Sequence, residues 1–404
     1  MVDAKLAGLS SPLTFDPSSS EYIADPYPIL RRIQEAEPLH RTKMGWLVTR
    51  YEHAAIVLRE SRVWGSGMTP ERRRSVLGSG PMFEYASRRM NNYNPPEHTR
   101  LRSLVTKAFT AKRVEALRPR IQKITDDLLN AAKGIREFDV LETLAHPLPC
   151  QVICEMVGVP LSDSPKLSQW TGAVHSVLAP VAQPERIPAA NDAASEFMTY
   201  IRALVVKRRA APGDDLLTAL IAAEEGGERL TEEELVATVL FMFTAGHATT
   251  RDLVGSGLLA FMNNRDQWES LVSDPSLAPS AVEECLRYCP SVQLAPRRAL
   301  QETMFAGTAI AAGEPLLVSI AASNRDPRRF PDPDRFDIRR ADNEHLTFGG
   351  GIHYCLGAML ARAEAQIIFG TLARRYPKME LAQQTIEWRD TIMFRGPKAV
   401  RIPT

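Results

Sequence analysis

The sequence predicts a mainly α-helical fold with a minor β region, built as one large domain. Three observations carry this. A capping box at Thr231-Glu232-Glu233-Glu234 opens a helical stretch that continues through Leu235 to about Asn263. Amphipathic stretches run over residues 111–132, 190–209 and 356–375. Strand patterns, by contrast, are few and short.

In chain order, residues 1–20 are polar, with Ser and Pro and no apolar segment. They are expected to form a loosely ordered tail and not a secretory signal. Asp25-Pro26-Tyr27-Pro28 leads into an early helix, and residues 45–49 alternate as a strand does. Pro95-Pro96-Glu97 starts a helix that places His98 and Arg102 at i, i+4 on one face. Pro212-Gly213-Asp214-Asp215 and Glu224-Glu225-Gly226-Gly227 are turns between helices. Thr303 to Ser319, broken at Gly307 and Gly313, supplies short strands of a small sheet. Length alone would suggest more than one domain, but no linker, repeat or low-complexity tract divides residues 1–404.

Composition narrows the function classes. The chain is 44% hydrophobic over 404 residues, enough for a large core. A net charge of +1 gives no bulk attraction to nucleic acid or to a membrane surface. The longest apolar run, residues 235–246, falls short of the ~20 residues a bilayer needs, so no membrane anchor is expected. The five cysteines are Cys150, Cys154, Cys285, Cys289 and Cys355, without a disulfide-framework spacing. They fit a reducing cytoplasm. The i, i+4 pairs could suit a metal, although buried thiols on apolar helices are commoner.

The most informative stretch is Phe348-Gly349-Gly350-Gly351-Ile352-His353-Tyr354-Cys355-Leu356-Gly357. Cys355 follows a glycine-rich loop and opens an apolar helical segment, where unpaired N–H groups and the helix dipole favour a thiolate. The glycines let backbone pass close to something large and flat, and Gly357 removes a side chain that would collide with it. A structural cysteine after a glycine turn is the bland alternative. An aromatic, three glycines, a histidine and a final glycine at these offsets argue against it.

This segment resembles the haem-binding loop of the cytochrome P450 family, F-x-x-G-x-[RH]-x-C-x-G. The resemblance, which spans the chain from Asp25 to about Gly396, implies the P450 fold. It puts Cys355 on the iron of haem b, with Phe348, Gly349 and Gly357 in the cofactor loop and His353 donating to a propionate. Glu284 and Arg287, at i and i+3, match the family's E-x-x-R helix, and Pro333-Asp334-Arg335-Phe336 the segment giving a second arginine. Glu284, Arg287 and Arg335 are thereby expected to form a buried structural network. His98 and Arg102 resemble the H-x-x-x-R pair. Pro296-Arg297-Arg298-Ala299 aligns with the R-x-A strand, which nominates Arg297. Haem carries two carboxylates, and these groups would neutralise them.

Ala245-Gly246-His247-Ala248-Thr249-Thr250 resembles the oxygen-side signature. There Gly246 permits a local opening of the helix beside the dioxygen site, with Ala245 against the cofactor and Thr249 as hydrogen-bond donor. Thr249 bonding back to its own helix turn is the alternative. The family usually has Asp or Glu before the threonine. Ala248 leaves the proton route in question, and Asp252, four residues on, is the nearest candidate.

The resemblance implies a monooxygenase acting on a lipophilic small molecule, with ferredoxin and ferredoxin reductase as electron donors because no redox module is visible. A peroxide-driven or non-oxygenating haem-thiolate enzyme is the alternative, a haem-based sensor or a zinc–thiol protein a weaker one. The expected substrate wall comprises residues 64–92 and 178–188, Thr238, Phe241, Met242, Ala245, Val292 to Leu294, Ile392 and Met393. Arg72, Arg73, Arg74, Arg88 and Arg89 either attract an acidic group or form a solvated face.

Overall fold

The long central helix organises the molecule. Its N-terminus is closed by the expected reciprocal cap: the Thr231 hydroxyl accepts from the Glu234 N–H at 3.2 Å, and the Glu234 carboxylate accepts from the Thr231 N–H at 2.9 Å. The helix spans Glu232–Asn263 and is buried on most of its circumference from Leu235 onward. A helix apolar all round must lie inside other helices. It is packed by Pro147–Val157, Ser164–His175, Ile187–Ala210, Ala278–Tyr288 and Ala358–Arg375. The computed structural model describes residues 13–66, 68–178, 184–225 and 227–403.

The amphipathic stretches fold where their periodicity places them, as Ala111–Ala131, Ile187–Ala210 and Ala358–Arg375. At the back of the core three helices meet closely. A Cβ on Gly257 would stand 2.6 Å from Phe369 Cζ and 3.1 Å from Cys285 Sγ. Phe261 there packs edge-on against Trp268, Phe336 and Phe369.

The minor β region is a five-stranded sheet in the order Leu39–Thr42, Gly45–Val48, Pro315–Ser319, Leu294–Ala299, Trp64–Ser66. Its one parallel pairing sets Leu317 beside Leu47, and its antiparallel pairings set Leu316 opposite Arg297 and Ser66 opposite Arg297. Alternation along Leu294–Ala299 sends Arg297 toward the interior cavity, while Arg298 Nε donates to the Ser66 carbonyl at 3.1 Å.

Residues 13–20 are not a loose tail. Phe15 is buried edge-on against Tyr22 of the Ser20–Ala24 helix, and residues 1–12 lie outside the described residues. Cys150, Cys154 and Cys285 are buried thiols and Cys289 a half-buried one. Among the described residues no group of three or more His, Cys, Asp or Glu could hold a metal, and no helix is long and apolar enough to cross a membrane.

Gly257→Ala should lower stability by about 1–3 kcal/mol, since the added methyl overpacks against an aromatic ring with no room to move. Thermal denaturation of the variant beside Gly172→Ala, where a Cβ meets nothing within 4 Å, checks this.

Candidate active site

The cysteine loop is shaped by two left-handed glycines. Gly349 and Gly351 have φ of +73° and +60°. A Cβ on Gly351 would also lie 2.8 Å from the Arg59 carbonyl oxygen, because the loop is pressed onto the Tyr51–Arg59 helix. The Cys355 N–H donates to the Phe348 carbonyl at 2.9 Å and closes the loop. Helix then starts at Ala358 with Gly357 as its cap. The Cys355 side chain is exposed where it borders a cavity of about 470 Å³. Burial pushes its thiol up, and the Gly357 N–H, Arg102 and Arg362 only partly oppose this. A metal cation at the sulfur inverts that balance.

Two ion networks, one buried and one half-buried, hold this loop. Glu284 and Arg287, both fully buried, form a two-pronged pair at 2.8 and 2.8 Å. Arg287 also donates to the carbonyls of Asn324, Pro333 and Arg335. Asn324 continues the chain of contacts, accepting from the Leu346 N–H and donating to Thr347 Oγ1, just before Phe348. The second guanidinium on Glu284 belongs to Arg340, at 3.3 Å, and not to Arg335. Arg335 gives its carbonyl to Arg287, and its side chain is turned outward, 66% exposed. The second network was not foreseen. Arg362 grips Glu283 at 2.7 and 2.8 Å and lies 4.5 Å over the Phe348 ring, while His345 reaches Glu283 at 3.2 Å. Burial pushes Glu283 up, but the bonds from Arg362 and His345 outweigh it and hold the carboxyl at about 2.

Four cationic or cation-capable groups border the cavity around Cys355: His98, Arg102, Arg297 and His353. The two imidazoles meet at 4.3 Å between centroids. Burial, then Arg102, pushes His98 down to about 4. Burial, then Arg297, His98 and Arg102, pushes His353 down to about 3. Buried alone, Arg297 falls to about 10. His98 Nδ1 and His353 Nε2 are buried without hydrogen-bond partners, and Arg297 reaches only the carbonyl of its neighbour Pro296. Among the described residues no carboxylate pairs with Arg102 or Arg297. Donors left this way call for anions from outside the chain. A dianionic, flat group over Cys355 fits them, and a Cβ on Gly357, which would meet no protein atom within 4 Å, is missing where that group would lie.

The cytochrome P450 family model matches residues 66–274 and 272–393. The chain is a cytochrome P450. It is 43% identical to cytochrome P450 107B1 of Saccharopolyspora erythraea over 89% of this chain and 90% of that one. It is 38% identical to the mycinamicin IV hydroxylase/epoxidase of Micromonospora griseorubida, over 90% and 92%. Among solved structures, the bacillaene polyketide synthase P450 PksS of Bacillus subtilis superposes with a TM-score of 0.89 at 35% identity, covering 96% and 99%. Like its family, the protein is a haem-dependent bacterial monooxygenase that hydroxylates or epoxidises lipophilic molecules with electrons from redox partners.

The central helix presents Ala245, Gly246 and Thr249 to the P450 cavity. It runs unbroken through Gly246, where a Cβ would lie 3.0 Å from Ile153 Cδ1, so this glycine also sets the approach of the Pro147–Val157 helix. Thr249 Oγ1 donates back to the Ala245 carbonyl at 2.8 Å while bordering the cavity. Asp252 does not border it. Fully buried on another face, it is paired with Arg389 at 2.7 Å and Arg251 at 3.2 Å, and a Cβ on Gly396 would collide with it. Burial pushes its pKa up against these two guanidiniums. Such an acid is committed to packing. The acid that does border the cavity is Glu364, nine residues after Cys355. Burial pushes it up to about 8, its polar neighbour is the Thr250 hydroxyl, and its Oε1 has no hydrogen-bond partner. The sequence signal was an acid on the inward face of an apolar helix.

Phe241, Met242, Val292, Leu294 and Met393 line the cavity as expected. Ile392 and Thr238 do not. A turn closed by Thr391 and Phe394 presents Met393 and Phe394 and leaves Ile392 outside. Leu178 lines the wall, and residues 179–183 lie outside the described residues.

Glu284→Ala should cost about 3–5 kcal/mol and yield little haem-loaded protein, because it strands the buried Arg287 charge, while Arg340→Ala should cost about 1–3 kcal/mol, since Glu284 keeps Arg287. Arg335→Ala should stay within about 0.5 kcal/mol, as its backbone makes the contact. Haem-to-protein ratio and melting temperature of the three variants separate Arg340 from Arg335.

Proposed function

We propose that the haem is haem b, ligated through Cys355 Sγ, with its propionates held by His98, Arg102, Arg297 and His353, and that the described chain works as one haem domain in the cytoplasm with a ferredoxin and its reductase. The observation that carries the reading is the set of unpaired donors converging around one cysteine at the cavity floor. Thiolate-ligated haem, when bound, supplies dioxygen activation, the sulfur's electron donation favouring O–O cleavage. The two ion networks keep Cys355 at a fixed depth, and the apolar wall at Phe241, Met242, Val292 and Leu294 excludes water from the reacting carbon.

Protons are supplied by residues of the cavity itself. Thr249 Oγ1 holds a hydroxyl proton at the cavity edge, resting on the Ala245 carbonyl and free to rotate inward. Glu364 is the acid in place of the missing one at position 248, since a carboxyl near 8 is protonated at neutral pH and Thr250 Oγ1 joins it to the central helix. This favours the dioxygen reaction over the peroxide-driven alternative, which rested on the lack of an acid. The relatives named for polyketide and mycinamicin chemistry support a role in secondary metabolism.

Three outcomes test this. Wild-type protein reduced under carbon monoxide should show the red-shifted Soret band of thiolate ligation. Cys355→His should lose it and Cys285→Ser should keep it. Product formed per electron consumed should fall as pH rises through about 8, because ionised Glu364 no longer donates. Glu364→Gln should be low and flat across that window and show a larger solvent isotope effect. Thr249→Ala should release more hydrogen peroxide at every pH. A pH step that survives in Glu364→Gln would assign the proton route elsewhere.

A further inference from the structure

The cavity holds a second group of unneutralised cations, apart from those around Cys355. The arginine run of residues 72–74 divides by helical position: Arg72 and Arg74 are exposed, whereas Arg73 is buried at 5% exposure and borders the cavity. Its recorded bond is from Nη2 to the Met68 carbonyl at 3.2 Å. Arg89, at the end of the Pro81–Arg88 helix, also borders the cavity. Its guanidinium lies 4.9 Å over the Phe241 ring and 5.7 Å over Tyr85, and its Nε is buried without a partner.

Arginine does not shed its proton to escape burial, so these guanidiniums remain charged. Among the described residues neither forms an ion pair. Glu71, the carboxylate that Arg73 senses, is fully exposed. Burial and, for Arg73, the neighbouring charge of Arg89 weigh against both cations. Other titratable neighbours bring no anion. Tyr93 is a phenol, and His175 on the same wall is pushed down to about 4 by burial, then by Arg389 and Arg89, and is neutral. The groups around Cys355 act on one another and on its sulfur, whereas Arg73 and Arg89 act on each other. A dicarboxylate cofactor satisfies the first group and leaves the second unmatched.

We infer that Arg73 and Arg89 anchor a carboxylate carried by the lipophilic substrate. The inference rests on the monooxygenase reading and narrows its substrate class to amphipathic acids. One carboxylate has lone pairs enough for two guanidiniums, and the bonds are charge-assisted in an apolar surround. The position also sets which end of the substrate reacts. Phe241, beneath Arg89, is two steps of i, i+4 from Thr249, about 12 Å along the helix at 1.5 Å per residue. The acid is held at the far end, and oxidation falls on carbons remote from it.

Isothermal titration of the haem-loaded full chain with decanoate, methyl decanoate and decan-1-ol tests this. Decanoate should bind roughly 10-fold or more tighter than either neutral probe, the scale of a charge-assisted contact. That ratio should collapse in Arg89→Gln and in Arg73→Gln and recover in part in Arg89→Lys, with haem-to-protein ratio unchanged. Equal binding of acid and ester by wild-type protein would overturn the inference without any variant. Preference surviving in the double Gln variant, or haem lost from Arg89→Gln, would overturn it too, the latter by assigning the arginine to the cofactor. An acid preference without oxidised product would leave the anchor standing and reject the reading of the reaction.

Discussion

Glu284 and Arg287 sit in a place where no water reaches either charge, and much of the active-site geometry hangs from that pair. Ionised groups so placed are tolerated only when every lone pair and proton is used. Here Glu284 accepts from Arg287, Arg340, Asn343 and the Asp337 N–H, and Arg287 spends its remaining donors on three carbonyls. Those carbonyls lie in the long irregular segment between residues 324 and 335, which has few backbone ladders to hold it. The pair thus does for that segment what a sheet does elsewhere. Through Asn324 and Thr347 it also fixes the approach to the cysteine loop, and Glu283 with Arg362 clamps the Phe348 ring from the next position along the same helix.

The cavity inverts this economy. Around Cys355, and again at Arg73 and Arg89, cationic or cation-capable groups converge with no carboxylate partner among the described residues. A core that satisfies Glu284 completely has the means to satisfy these as well, so their isolation is informative. A deficit of the opposite kind lies on the same cavity wall, where burial pushes the Glu364 carboxyl up and its Oε1 has no hydrogen-bond partner. Cations without anions and an acid without a cation are each costly in stability. Their collection in one cavity fits a site completed by bound groups.

Local chemistry was legible in the sequence, and long-range geometry much less so. The central helix could be placed at both ends because Thr231 and Glu234 encode its start in four residues. The loop at 348–357 was legible because its phenylalanine, glycines, histidine and cysteine stand at the offsets of the P450 motif. Arg335 was misplaced for Arg340 because both lie in irregular chain, where no period says which side chain turns inward. Asp252 shares a helical stripe with Ala248, but its fate was decided by Arg389, 137 residues away. No spacing rule reaches that far. Arg73 illustrates the same limit in reverse: a run of three arginines has the composition of a solvated face, and only helix phase puts the middle one inside.

These elements are brought into one frame by the central helix, along which the site's components fall at successive turns. Phe241 carries Arg89 above it, Thr244 bonds the Tyr85 hydroxyl at 2.6 Å, Ala245 and Thr249 face the cavity, and Thr250 meets Glu364. Because the rise per residue is constant, the spacing between Phe241, under Arg89, and Thr249 is set by one rigid element. The ends of this ruler face the short helices of the Met68–Asn92 wall and the cysteine loop. Residues at 73 and 89 can therefore change what is bound without disturbing how Thr249 and Glu364 are aligned, whereas a change at Gly246 or Gly257 shifts the ruler itself against its neighbours.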